Sequence, residues 1–163
     1  MTKAVKPIPE GFRTLTPHLM VKGAAQAIDF YKQAFGAEEL FRMSDPDGKR
    51  IGHAEIKIGD SILMLADEYP EMGFLSPQSL NGTPVSFMIY VEDVDAAFKR
   101  AVDAGATVMR PLEDRFYGDR VGTINDPFGH QWSLGTHKED VAPEELEKRA
   151  AAEHAKMAKK QHQ

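Results

Sequence analysis

The best-placed side chains for chemistry in this chain are His53 and Glu55. They stand two apart in the alternating run Ile51-Gly52-His53-Ala54-Glu55-Ile56-Lys57-Ile58, so on a β-strand both leave the same face. A carboxylate beside an imidazole can serve as a general base or join the ring in holding a divalent cation. The opposite face, with Ala54, Ile56 and Ile58, is apolar and suits packing against helices. Other chemistry is thinly represented. There is no cysteine, which excludes disulfide frameworks, thiolate metal sites and cysteine nucleophiles. No Ser-His-Asp order, phosphate-cradling loop, dinucleotide fingerprint or paired-acid motif stands out.

The totals narrow the function classes further. At 163 residues the chain suits one ordinary domain or two small modules sharing a core. A formal net charge of -5, with no basic stripe interleaved with aromatics before the extreme C-terminus, argues against a nucleic-acid partner. The N-terminus has no apolar signal core, and no apolar run approaches the roughly 20 residues a membrane span needs. The expectation is a cytoplasmic protein with no membrane partner.

The elements that position these residues occur twice. The stretch Asp126-Pro127-Phe128-Gly129-His130-Gln131-Trp132-Ser133-Leu134 reads as a β-hairpin, because Asp-Pro and Phe-Gly mark a turn between alternating runs. Sliding the chain by about 70 positions lays this hairpin over residues 50–65, with Arg50 on Arg120, Ile51 on Val121, Gly52 on Gly122 and Gly59 on Gly129. The first copy reads as a strand from Phe12 to Val21, then a helix carrying Ala24, Ala27, Ile28, Tyr31 and Phe35 and stopped by Gly36. Strands follow at Glu38–Met43, Ile51–Ile58 and Ser61–Ala66, the last two joined by the tight turn Gly59-Asp60. The second copy has a strand from Val85 to Val91, a helix on Val94, Ala97, Phe98 and Ala101 ended by Gly105, and a strand Thr107–Arg110. A loop from Pro111 to Gly118 then leads to strands Arg120–Ile124 and Gln131–Gly135.

The resulting division is an N-terminal arm at 1–11, a first βαβββ module at 12–66, a linker at 67–84, a second module at 85–137 and a helical tail at 138–163. The tail opens on Pro143-Glu144-Glu145, closes on Lys156, Lys159 and Lys160, and carries a thin apolar stripe of Leu146, Ala150 and Met157. It reads as a mostly solvated helix that frays at Gln161-His162-Gln163. Trp132, of opposite parity to Ser133, is placed in the core against a helix. His130, in a hairpin turn, reads as solvated. His137 either folds over the cleft or caps the C-terminal helix. Phe116 and Tyr117 either wall the cleft or pack on a sheet edge.

Two such modules, the run Ala-Ile-Asp-Phe-Tyr-Lys-Gln-Ala-Phe-Gly-Ala at 27–37, and the Asp-Pro-Phe-Gly-His hairpin together resemble the vicinal oxygen chelate superfamily. That superfamily comprises glyoxalase I, the bleomycin- and fosfomycin-resistance proteins and extradiol dioxygenases. The resemblance covers about residues 12–137 and is greatest to PhnB-type glyoxalase-like proteins. It implies an α+β fold in which two tandem modules form curved mixed sheets around a cleft, with helices on the convex side. It also implies a homodimer. In metal-using members four side chains, two per module, project into the cleft and hold a divalent cation that binds two vicinal substrate oxygens and stabilises developing charge.

Aligned on that pattern, the four ligand positions fall on Thr16, Leu63 (or Met64, with a one-residue shift of register), Ser86 and Ser133. Hydroxyls, a hydrocarbon and a thioether are poor ligands for a hard cation, so the usual metal site is not expected. On strand parity His18 joins the cleft beside Thr16, and polarity places His53, Glu55 and Met64 there. Met88 and Tyr90 share parity with Ser86 and give the second module an apolar wall. The expected ligand-binding set is therefore His18, His53, Glu55, Met64, Ser86, Met88, Tyr90 and Ser133, with no metal and no cofactor. The primary reading is a protein that holds a small, partly apolar molecule in the inter-sheet cleft. The alternative is a metal-dependent lyase, isomerase or dioxygenase with a rearranged His18, His53 and Glu55 site, so whether the chain is an enzyme stays open.

Overall fold

The computed structural model describes residues 5–160. Strand β1 spans His18–Val21 and helix α1 Ala24–Phe35. Strands β2 (Glu38–Ser44), β3 (Ile51–Ile58) and β4 (Ser61–Asp67) complete the first four-stranded sheet, in the order β1-β4-β3-β2. After a 3-10 turn at Pro70–Met72 and a short helix α2 at Pro77–Leu80, the pattern repeats. Strand β5 spans Ser86–Tyr90, helix α3 Val94–Asp103, β6 Thr107–Asp114, β7 Asp119–Asn125 and β8 Gln131–His137. The second sheet runs β5-β8-β7-β6. In each sheet the first strand pairs parallel with the last, and the other pairings are antiparallel. Helix α4, Pro143–Lys160, closes the chain.

Each module fixes its helix with a side chain from the end of its own last strand. Asp67 Oδ1 accepts from the amides of Gly23 and Ala24, both at 2.9 Å, while its Oδ2 accepts from Ile51 N at 2.7 Å. This puts a carboxylate at the positive end of α1. In the second module Thr136 Oγ1 accepts from Val94 N at 3.0 Å and donates to Val91 O at 2.7 Å. Helix α1 ends at Gly36, whose φ of 66° is the left-handed conformation glycine adopts without cost. Gly122 serves packing instead: a Cβ there would run into the Phe98 ring of α3.

Helices α1 and α3 pack on each other and on one face of their own sheets, so one core joins both modules. Arg100 Nε on α3 donates to Ala34 O at the end of α1, at 3.1 Å. Trp132 is only 2% exposed and sits in this core, as its parity predicts.

Three local readings are corrected. The first strand is shorter than Phe12–Val21, because the chain before it turns on itself: Phe12 N bonds to Pro9 O and Thr16 Oγ1 to Arg13 O. Strand β6 runs past Arg110 to Asp114. As an edge strand it absorbs Pro111 through register shifts between Val108 and Arg110 and between Arg110 and Glu113. His130 is buried rather than solvated, at 8% exposure, and its Nε2 lies 2.9 Å from Met20 O. The expected fraying at 161–163 lies outside the described residues.

Candidate functional site

The register of the first sheet brings the predicted polar residues onto the face away from α1. His18 lies beside Met64 across β1 and β4, Met64 faces Glu55 across the β3–β4 hairpin, and Phe41 faces Glu55 from β2. In the adjacent register Met43 faces His53. The His18 and His53 rings meet edge to face at 5.9 Å, and His53 Nε2 is 3.3 Å from Glu55 Oε1. Burial and then the neighbouring His53 lower the His18 pKa, which favours its neutral form.

The second sheet builds a different surface. Met88 pairs with Ser133, and Ser133 faces Thr123, with the two hydroxyl oxygens 3.0 Å apart. Gly135 leaves room for the end of the Met88 side chain, which a Cβ there would strike. Tyr90 Oη donates to Asp119 Oδ2 at 2.7 Å, and Asp119 Oδ1 lies 2.6 Å from His137 Nδ1. His137 Nε2 reaches Asp140 Oδ1 at 2.9 Å. Its two hydrogen-bonded carboxylates raise the His137 pKa, Asp119 first. His137 thus ties β8 to β7 and to the loop before α4, and takes neither role expected of it. Phe116 and Tyr117 pack edge to face at 5.3 Å, and Arg149 of α4 reaches the Phe116 carbonyl at 3.4 Å.

Met64, not Leu63, is the residue on the open face. Ile58 and Ser61 bracket a two-residue turn in the first hairpin, whereas Asn125 and Gln131 bracket residues 126–130 in the second. The longer loop shifts the second hairpin's strands relative to the constant repeat, so Met64 corresponds to Ser133. The positions a superfamily metal would use do not fit one: Thr16 Oγ1 bonds to Arg13 O, Ser133 Oγ bonds to Thr123, Ser86 offers a neutral hydroxyl, and Met64 a thioether. Among the described residues, no group of three His, Asp or Glu side chains is placed to hold an ion.

A cavity of about 530 Å³ lies where the modules meet. One wall is residues 87–90 of β5 with Val91 just after it. The other is the end of the β3–β4 hairpin, residues 58–63, with Arg13, Leu15 and Pro17 from the chain entering β1. Phe35 and Trp132 add aromatic surface. Met88 and Tyr90 are the predicted site residues that line it. His18, His53, Glu55, Met64, Ser86 and Ser133 do not. Phe35, Phe87 and Trp132 were legible only as core residues, since periodicity shows which face is apolar but not where two apolar faces leave a gap.

Known proteins agree with this architecture. The model of the Glyoxalase/Bleomycin resistance protein/Dioxygenase superfamily matches residues 13–134. Protein Rv0887c of Mycobacterium tuberculosis is 51% identical over 136 residues, covering 82% of this chain and 79% of that protein. The X-ray structure of the Arabidopsis thaliana At5g48480 gene product superimposes with a TM-score of 0.61 at 28% identity, covering 76% of this chain and 98% of that one. A PhnB protein from Bacillus cereus shares the fold, with a TM-score of 0.60 at 21% identity over 76% of this chain and 99% of its own.

Proposed function

The chain belongs to the glyoxalase/bleomycin resistance protein/dioxygenase superfamily, and from that premise we propose that it binds a small, partly apolar molecule between its two modules without the metal site of its metal-using relatives. The observation that carries this reading is the inter-module cavity of about 530 Å³, walled by Phe35, Phe87, Ile89 and Trp132, a size and lining suited to a small organic ligand. Met43, Met64 and Met88 supply further polarizable surface on the open sheet faces, and such thioethers adapt to varied ligand shapes. Among the described residues no helix is long and apolar enough to cross a membrane. The cysteine-free chain requires no oxidising compartment, in keeping with a cytoplasmic setting.

The single tryptophan of the chain is Trp132. Titration with a panel of aromatic compounds should therefore quench or shift its emission saturably. A panel that leaves the emission and the heat of mixing unchanged at its solubility limit removes this reading.

A second reading rests on the His53–Glu55 contact at 3.3 Å: the carboxylate and imidazole act as a general base on a ligand lying over the first sheet. Titration with nickel, zinc, manganese and iron separates both readings from a metal enzyme. Stoichiometric, EDTA-resistant uptake of any of these ions would overturn them.

The assembly we propose is a homodimer. Phe41, Met43, Met88 and Tyr90 leave between 42% and 62% of their surface exposed on the open sheet faces, and a second copy would cover such apolar area. Sedimentation showing only monomer at micromolar concentration would refute this.

A further inference from the structure

Of the edge strands, the two that open the modules, β1 and β5, are finished differently. In β1 the carbonyls of Pro17 and Val21 accept from Met64 N and Glu68 N of the first sheet's last strand and its extension, both at 2.9 Å. The alternate residues His18 and Met20 therefore turn their peptide groups to the free edge. There the Met20 carbonyl is capped by His130 Nε2 at 2.9 Å, delivered by the long loop 126–130 of the other module. In β5, Val91 N donates to Gly135 O at 2.9 Å, so Met88 and Tyr90 turn their N–H and C=O groups outward. By the internal repeat, the element that should cap them is the β3–β4 hairpin. Its two-residue turn, Gly59-Asp60, is too short to deliver a ring, and Asp60 brings an acceptor already engaged by Ser61 Oγ at 2.9 Å.

The inter-module cavity occupies the place left uncapped. It is lined by Phe87, Met88, Ile89 and Tyr90 of β5 and by Val91 just after it, residues of both parities, so it runs along the strand's edge rather than over one face. Among the described residues, Met88 and Tyr90 have no backbone partner outside the β5–β8 ladder. Apart from Arg13, Asp60 and Ser61 the cavity walls are apolar, and outward-turned peptide groups beside such walls favour an occupant that pairs with them.

We propose that this cavity, on which the functional reading above also rests, takes a small lactam, a cis secondary amide, with an aromatic body. In the cis amide of a lactam ring the N–H and C=O leave the same edge, so the ligand carbonyl accepts from Tyr90 N–H while the ligand N–H donates to Met88 C=O; an open-chain trans amide points the two groups in opposite directions. The aromatic body lies against Phe87 and Trp132.

The test is a matched series differing only at the ring linkage: dihydrocarbostyril, N-methyldihydrocarbostyril and dihydrocoumarin, each titrated against the full chain by Trp132 fluorescence and calorimetry. The lactam should bind at least about tenfold more tightly than its N-methyl derivative and the lactone, because only it offers both a donor and an acceptor on one edge. A Met88→Ala variant, which keeps its peptide groups, should retain that preference. The amide N–H of Tyr90 points away from the ladder, so a Tyr90→Pro variant keeps the sheet's own bonds. It should lose the preference while still binding the lactone. Equal affinity for the three compounds overturns the edge-pairing proposal and leaves the binding reading intact; no binding by any of them overturns both. A dimer that dissociates as the amide is added would identify the β5 edge as a seam between copies and overturn the small-molecule assignment.

Discussion

Tyr31 on α1 and Trp132 on β8 donate to the same oxygen, Asp126 Oδ2, at 2.7 and 2.9 Å, with their rings 5.4 Å apart. Asp126 Oδ1 accepts from the amides of Phe128 and His130, both at 2.9 Å. One buried carboxylate thus holds the helix of the first module against the last hairpin of the second. Burial, and then the charge and hydrogen bond of Asp126, raise the Tyr31 pKa well above its ordinary value, so the phenol stays a donor.

Removing this carboxylate should loosen the joint between modules. Asp126→Ala leaves Tyr31 and Trp132 without their acceptor, and each buried donor stranded in this way costs about 1–3 kcal/mol. Tyr31→Phe deletes one donor and should cost about 1 kcal/mol. Urea unfolding followed by Trp132 emission measures both; a smaller loss for Asp126→Ala than for Tyr31→Phe would mean the carboxylate does not organise the joint.

Acid should release the segment between modules through Glu68. Burial acts to raise its pKa, but hydrogen bonds from Ser76 and Ser79 and the charge of Lys22 outweigh it and hold the pKa at about 2. Because the folded value lies below the unfolded one, the contribution is fully present above about pH 4.5 and is lost as pH falls toward about 2. Glu68→Gln should flatten the stability profile across that window. An unchanged slope would show that the carboxylate is not coupled to folding.

His137 works in the opposite sense. Its pKa is raised by hydrogen bonds to Asp119 and then Asp140, so its contribution is complete below about pH 6.5 and fades as pH rises through the raised folded value. Proton NMR of the ring should titrate above the ordinary histidine value, and Asp119→Asn should bring it down. A His137 titration indifferent to Asp119→Asn would contradict the pairing.

The open-face pair should be expendable for folding. The His53 and Glu55 side chains keep 25% and 24% of their surface exposed, so His53→Ala and Glu55→Ala should each change stability by less than about 1 kcal/mol. A loss of several kcal/mol in a urea titration would mark them as structural groups instead.

Local periodicity carried much of this molecule. The alternation at 51–58 put His53 and Glu55 on the face opposite Ala54 and Ile56, the parity of 131–135 put Trp132 in the core, and the restarting pattern gave two βαβββ modules, because the periods of strand and helix are fixed by backbone geometry. Polarity also chose Met64 over Leu63, a choice confirmed by the pairing with Glu55. Partners distant along the chain were not written in any local pattern. His130 in a turn looks solvated until the fold brings Met20 beside it, and Asp119 and His137 look like ordinary strand ends until β7 and β8 pair. The cavity is of the same kind. It depends on a two-residue turn stopping short of one strand edge while a longer loop reaches the other; the loop lengths lie in the sequence, but which edges they meet is set by how the two modules dock.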